Sequence, residues 1–82
     1  MLDTILDNYP DEDILKVDGY DSAVIGFDPN SMRLIYSENR IIEIIMTEDG
    51  CDELEAMEHY EYNIMCAYVG EKTPIFCRNI EY

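Results

Sequence analysis

An 82-residue chain that is 48% hydrophobic, with 19 Asp and Glu against 5 Lys and Arg, is long enough for one domain with one core and too apolar for disorder. Its net charge of −14 repels nucleic acid and anionic membranes, and apolar stretches such as residues 41–46 fall far short of the roughly 20 residues a spanning helix needs. Three cysteines and an opening stretch without basic residues point to free thiols and a cytoplasmic setting, with no membrane partner and no direct nucleic-acid partner.

Leu2, Ile5, Leu6 and Tyr9 fall at i, i+3, i+4 and i+7. That spacing predicts a short amphipathic helix, with Asp3 as its N-cap and Pro10 as its stop. Ile14, Leu15 and Val17 then dock an acidic N-terminal arm, residues 1–17, onto a core over residues 18–82, all within one domain. Residues 23–27 and 32–36 read as the two strands of an antiparallel hairpin around an Asp28-Pro29-Asn30-Ser31 turn. Gly26 inside the first strand suggests a bulge or a close backbone approach.

Ser37 is a good N-cap for a helix over 38–47, and the isoleucines at 41, 42, 44 and 45 predict burial on more than one side. Gly50 suits a left-handed C-cap. Asp52 caps a second helix to about residue 63, with Glu55 completing a capping-box pattern and Leu54, Met57 and Tyr60 or Glu61 along one side. Residues 64–69 continue apolar to Gly70, residues 71–74 read as a surface turn, and residues 75–78 as a third strand of the same sheet. A hairpin, two consecutive helices and a third strand make a small α+β two-layer sandwich, with a short N-terminal helix or arm.

The charge is concentrated in two blocks. Residues 1–21 carry a net of −6 and residues 43–62 a net of −8, while the stretches between and after them balance to zero. Glu53 and Glu55 suit the positive end of a helix, but Glu58 and Glu61 lie beyond its reach. Asp49, Glu53, Glu55, Glu58 and Glu61 are therefore the candidate protein-binding face. Dedicated chemistry is poorly supported. Glu55 and His59 share a helical face but make only two of the three or four ligands a zinc site needs, and neither acidic run has calcium-loop spacing. Gly70-Glu71-Lys72-Thr73 lacks the upstream glycine of a phosphate loop, since position 65 is Met65. Nothing activates Cys51, Cys66 or Cys77, and the acidic field raises their pKa values. The residues thus imply no metal, no cofactor and no catalytic group. Arg33, Arg40, Lys72 and Arg78 remain as bases that could line one sheet edge for a small anionic ligand.

The run Ala67-Tyr68-Val69-Gly70-Glu71-Lys72-Thr73-Pro74 follows the acidic–aromatic segment Glu55-Ala56-Met57-Glu58-His59-Tyr60-Glu61-Tyr62-Asn63. Together they resemble a widespread family of small uncharacterised proteins of tailed bacteriophages, whose members end in G-A-[YW]-V-G-E-x-T-P after an E-A-x-E-[YF]-[FY]-x-[FY]-N helix. Ile42-Glu43-Ile44-Ile45-Met46 fills the place of that family's [IV]-E-I-L-M helix. Asp52 stands where Ser or Thr is usual, and Cys66 where Gly is usual. The resemblance spans roughly residues 18–77 and implies phage origin and the cytoplasm of an infected bacterium; it carries no activity with it.

Three functions follow as expectations. The first is a non-enzymatic acidic protein that binds and modulates a host protein with a basic surface, its carboxylates standing in for the phosphates of a nucleic acid. The second is a small-ligand or minor enzymatic domain using Tyr68, Gly70, Glu71 and Thr73, where Gly70 and Pro74 have the competing role of shaping the turn into the last strand. The third is a homo-oligomeric structural module anchored by tyrosines.

Overall fold

In a computed structural model, which describes residues 1–10, 14–65, 70, 72–78 and 80, the short local signals set most of the element boundaries. Helix α1 (Leu2–Asn8) stops ahead of Pro10, but Met1 and not Asp3 holds the N-cap place, and no side chain caps it. Asp3 instead lies in the first turn, where the dipole favours its charge. Leu2 and Ile5 are buried and Tyr9 stacks on Phe27 with ring centroids 4.8 Å apart, so α1 is held to the hairpin by its apolar stripe. Ile14 and Val17 pack against the same core.

A 3-10 turn at Asp21–Ala23 leads into β1 (Val24–Asp28), which pairs antiparallel with β2 (Arg33–Ser37). Each strand starts one residue later than the apolar pattern alone suggests. The reason is the turn: Asp28 pairs with Arg33 and closes a four-residue loop. Asp28 Oδ1 accepts from the Asn30 N–H at 3.0 Å and Oδ2 from the Ser31 hydroxyl at 2.8 Å. The Ser31 bond, followed by the Asn30 bond, holds the Asp28 carboxyl below its ordinary value of 3.8. Met32 takes the left-handed conformation at φ 56, an uncommon place for a methionine, and returns the chain to β2. The register slips between Val24 and Gly26, which is the bulge the glycine suggested. A Cβ added at Gly26 would meet Ile35 at 3.6 Å, an ordinary contact, so the bulge does not depend on the missing side chain.

Ser37 ends β2 and caps α2 (Glu38–Asp49), its hydroxyl accepting from the Arg40 N–H at 3.3 Å. Gly50 closes that helix at φ 63 in the left-handed region. Asp52 caps α3 (Glu53–Tyr60), accepting from the Glu55 N–H at 2.9 Å. The α-helical geometry ends before residue 63, however, and a π-helical turn follows at Glu61–Met65. There the Asn63 side-chain amide donates to the His59 carbonyl at 3.1 Å. This is the acceptor that an α-turn would offer to the Asn63 backbone N–H, so the side chain competes with the ladder.

Strand β3 (Ile75–Cys77) pairs parallel to β2, which gives a mixed sheet in the order β1-β2-β3. A parallel pair needs a long crossover, and α2 and α3 supply it. Leu34 and Tyr36, two residues apart on β2, are wholly buried, while Arg33 before them and Ile35 between them are half-buried. One hydrophobic cluster joins these two to Leu2, Ile5, Ile41, Ile45, Ala56, Tyr60 and Ile64. The architecture is thus the small α+β two-layer fold that the element order implies.

The side of α3 that carries Leu54 and Met57 is not the one that meets the core. Ala56 and Tyr60 face the core, while Leu54 is 69% exposed and Met57 37% exposed. An alanine at the contact brings the α3 backbone close to its neighbours, and the larger side chains are turned away. The bases are also dispersed instead of lining one edge. Arg33 donates to the Thr73 carbonyl, Arg40 to the Ser22 carbonyl at 3.5 Å, and Arg78 to Glu38.

Candidate functional site, a carboxylate-rimmed cleft between two helices

Because Ala56 and Tyr60 take the core side of α3, the next stripe around that helix, Glu53, Met57 and Glu61, turns toward α2. On α2 the buried stripe is Ile41 and Ile45, and the neighbouring stripe of Glu38, Ile42 and Met46 at i, i+4 and i+8 faces back. Between the two stripes lies a cleft of about 530 Å³. Ile42, Met46 and Met57 form its apolar floor, Glu43, Glu53 and Glu61 stand exposed on its rims, and Arg78 also lines it.

Glu38 is the one buried charged residue among the described residues, and it organises the part of the cleft near Arg78. Its Oε1 accepts from Arg78 Nε at 2.9 Å and its Oε2 from the Tyr60 hydroxyl at 2.5 Å. Tyr60 in turn packs edge-on against Phe76 of β3, with centroids 5.7 Å apart, and Phe76 lies 5.9 Å from the ring of Tyr36. The first residue of α2, the last of α3 and the residue after β3 are thereby tied at one point. Burial first, and then the Glu38 carboxylate that accepts its hydroxyl, hold the Tyr60 phenol far above its ordinary value of 10.0.

This shift has a definite pH consequence. A raised tyrosine pKa means that the folded state keeps a proton the unfolded state releases. The stability is fully present below about pH 10 and is lost as pH rises above it. Thermal melts followed by circular dichroism between about pH 8 and about pH 11.5 are expected to show that decline, and Tyr60→Phe is expected to make it shallower.

The sequence-derived acidic residues divide between two places. Glu53 and Glu61 line the cleft. Asp49 and Glu55 lie instead toward Cys51: burial pushes the Cys51 thiol up, and Glu55 and then Asp49 push it further. Glu58 is exposed and lines neither place. The sequence pattern did not bring Glu38, Ile42, Glu43, Met46 and Arg78 together in one site, although the period-four stripe of Glu38, Ile42 and Met46 beside that of Ile41 and Ile45 was a readable signal.

Of the second candidate segment, Tyr68 and Glu71 lie outside the described residues, as does Cys66. Gly70 sits at φ 111 and its carbonyl accepts from the Thr73 N–H at 3.1 Å. Thr73 offers its own carbonyl to Arg33 Nε at 2.5 Å. Both residues therefore work through the backbone to turn the chain into β3. Pro74 is buried and lines a smaller cavity of about 250 Å³ with Leu15, Val17, Ile64 and Phe76. Cys51 and Cys77 are free thiols. No group of three or more His, Cys, Asp or Glu that could hold a metal ion occurs among the described residues, and no helix among them is long and apolar enough to cross a membrane. No protein-family model, curated protein or solved structure matches the chain.

Proposed function

We propose that this chain is a non-enzymatic binding module that captures a protein partner through a basic surface, using the face formed by α2 and α3. The supporting observation is the convergence of Glu38, Glu43, Glu53 and Glu61, from two helices, on one cleft with an apolar floor. The net charge of −14 adds long-range attraction for a cationic partner and speeds the encounter. With the phage resemblance as its setting, the partner is a host protein of the bacterial cytoplasm, and its modulation is the purpose. An apolar floor has no counterpart in a phosphate backbone. The cleft therefore favours recognition of an amphipathic basic surface over simple imitation of nucleic acid.

The test matches charge and varies place. Immobilised wild-type protein is exposed to bacterial lysate at low and at moderate salt, beside two variants that carry the same charge change. In one, Glu43, Glu53 and Glu61 become Lys; in the other, Asp49, Glu55 and Glu58 become Lys. The first variant is expected to lose the protein retained at moderate salt, and the second to keep it. Exposed charges beyond about 10 Å are screened at 0.1 M salt, so equal loss in both at moderate salt would overturn the assignment of binding to this face.

A further inference from the structure

The cleft carries more information than the sign of its partner. We infer that its occupant is a basic amphipathic helix of the partner protein, laid lengthwise between α2 and α3 with apolar side chains on Ile42, Met46 and Met57 and with lysine or arginine against Glu43, Glu53 and Glu61. The inference rests on the binding reading above and specifies its ligand.

Three features of the site select a helix. The walls are themselves helices, whose mid-helix backbone groups are bonded within each helix. An extended segment would find no strand edge here and would leave its own N–H and C=O groups unpaired, whereas a helix satisfies them internally. The floor is the second feature. Two of its three apolar residues are methionines, whose unbranched side chains adapt to varied apolar anchors. Leu54, about one turn before Met57 on the same helix, adds an exposed apolar side chain outside the cleft lining. Anchors at i, i+3 or i+4 and i+7 of an incoming helix fit such a floor. Third, the carboxylates stand on both sides of the floor, Glu43 on α2 and Glu53 and Glu61 on α3. A helix with an apolar stripe flanked by bases complements that arrangement.

The same charges argue against the other occupants of an apolar cleft. A second copy meeting this one face to face would bring the cleft's four glutamates against four more, with no basic helix to offer. An anionic lipid surface is repelled by the rim.

The probe is a fluorescently labelled synthetic peptide of leucine and lysine only, with leucines at helical spacing. The control has the same composition with leucine and lysine alternating, so that no apolar helical stripe forms. Anisotropy titrations at low micromolar concentration are expected to give about tenfold tighter binding of the helical design, with a gain of helical circular dichroism on mixing. Met57→Glu supplies the decisive variant. It makes the cleft more negative, so pure electrostatics predicts tighter binding, while burial of an apolar anchor predicts about tenfold weaker binding. Leu54→Glu, at a more exposed position, repeats the test if Met57→Glu fails to fold. Equal binding of both peptides, or tighter binding by the glutamate variants, overturns the helix inference and leaves the basic-partner reading standing. A dimer in sedimentation without peptide that either glutamate variant disperses also overturns it, since a second copy would then cover the cleft. Failure of both peptides to bind at low salt overturns the basic-partner reading itself.

Discussion

Replacing Tyr36 by alanine is expected to lower the midpoint of thermal unfolding by about 12–40 °C. Truncation of a large core side chain costs about 3–5 kcal/mol, and a domain of this size shifts by about 4–8 °C per kcal/mol. The whole stability of such a domain is about 4–12 kcal/mol, so Tyr36→Ala consumes a large part of it. Tyr36 is wholly buried on the central strand, in contact with Phe76 of β3, and it is among the largest fully buried side chains. Its hydroxyl also accepts from the Val17 N–H at 2.8 Å, which fastens the segment before the hairpin to the middle of the sheet. The companion variant Tyr36→Phe separates the two roles. It keeps the ring and strands the half-buried Val17 N–H, for a loss of about 1–3 kcal/mol. Native-state hydrogen exchange at the Val17 amide should rise in Tyr36→Phe. If it does not, while Tyr36→Ala is destabilised as expected, the ring alone matters.

What could be read from the residues, and what could not, follows the range of each signal. Ser37, Gly50 and Asp52 act on backbone groups within three residues, so their caps were legible from a short window. Gly26 marked a real bulge because a strand interruption is also a local event. The parallel pairing of β3 was not legible. Its direction depends on how two helices carry the chain back to β2, and a three-residue strand holds too little pattern to specify it. Which side of α3 meets the core was not legible from the sizes of its apolar residues. Leu54 and Met57 outweigh Ala56, but the contact with the core selected the small residue and left the large ones outside. That orientation of α3 makes the cleft, since it turns Met57 and Glu61 toward α2. Charge blocks along the chain concealed the same site. Glu38 belongs to a stretch of zero net charge, yet it sits beside glutamates from the −8 block.

Glu38 provides the second large expectation. Glu38→Leu is expected to destabilise the protein by about 1–3 kcal/mol, because the buried Tyr60 hydroxyl loses its acceptor. Arg78 is well exposed and can hydrate once released, so its share of the loss is small. Tyr60→Phe is expected to cost as much or more, since it removes a donor from a carboxylate whose side chain is only 11% exposed. The double variant Glu38→Leu/Tyr60→Phe removes donor and acceptor together and is expected to be more stable than the sum of the single losses implies. Urea denaturation of the four proteins measures that coupling; strict additivity of the two losses would mean that the short hydrogen bond contributes little. The cycle bears on function as well. If an apolar pair restores stability, the fold does not require a carboxylate at this position, and its place in a cleft lined by three more glutamates is better explained by binding than by folding. The same double variant should then bind the leucine–lysine helix less tightly than wild type while melting at a similar temperature.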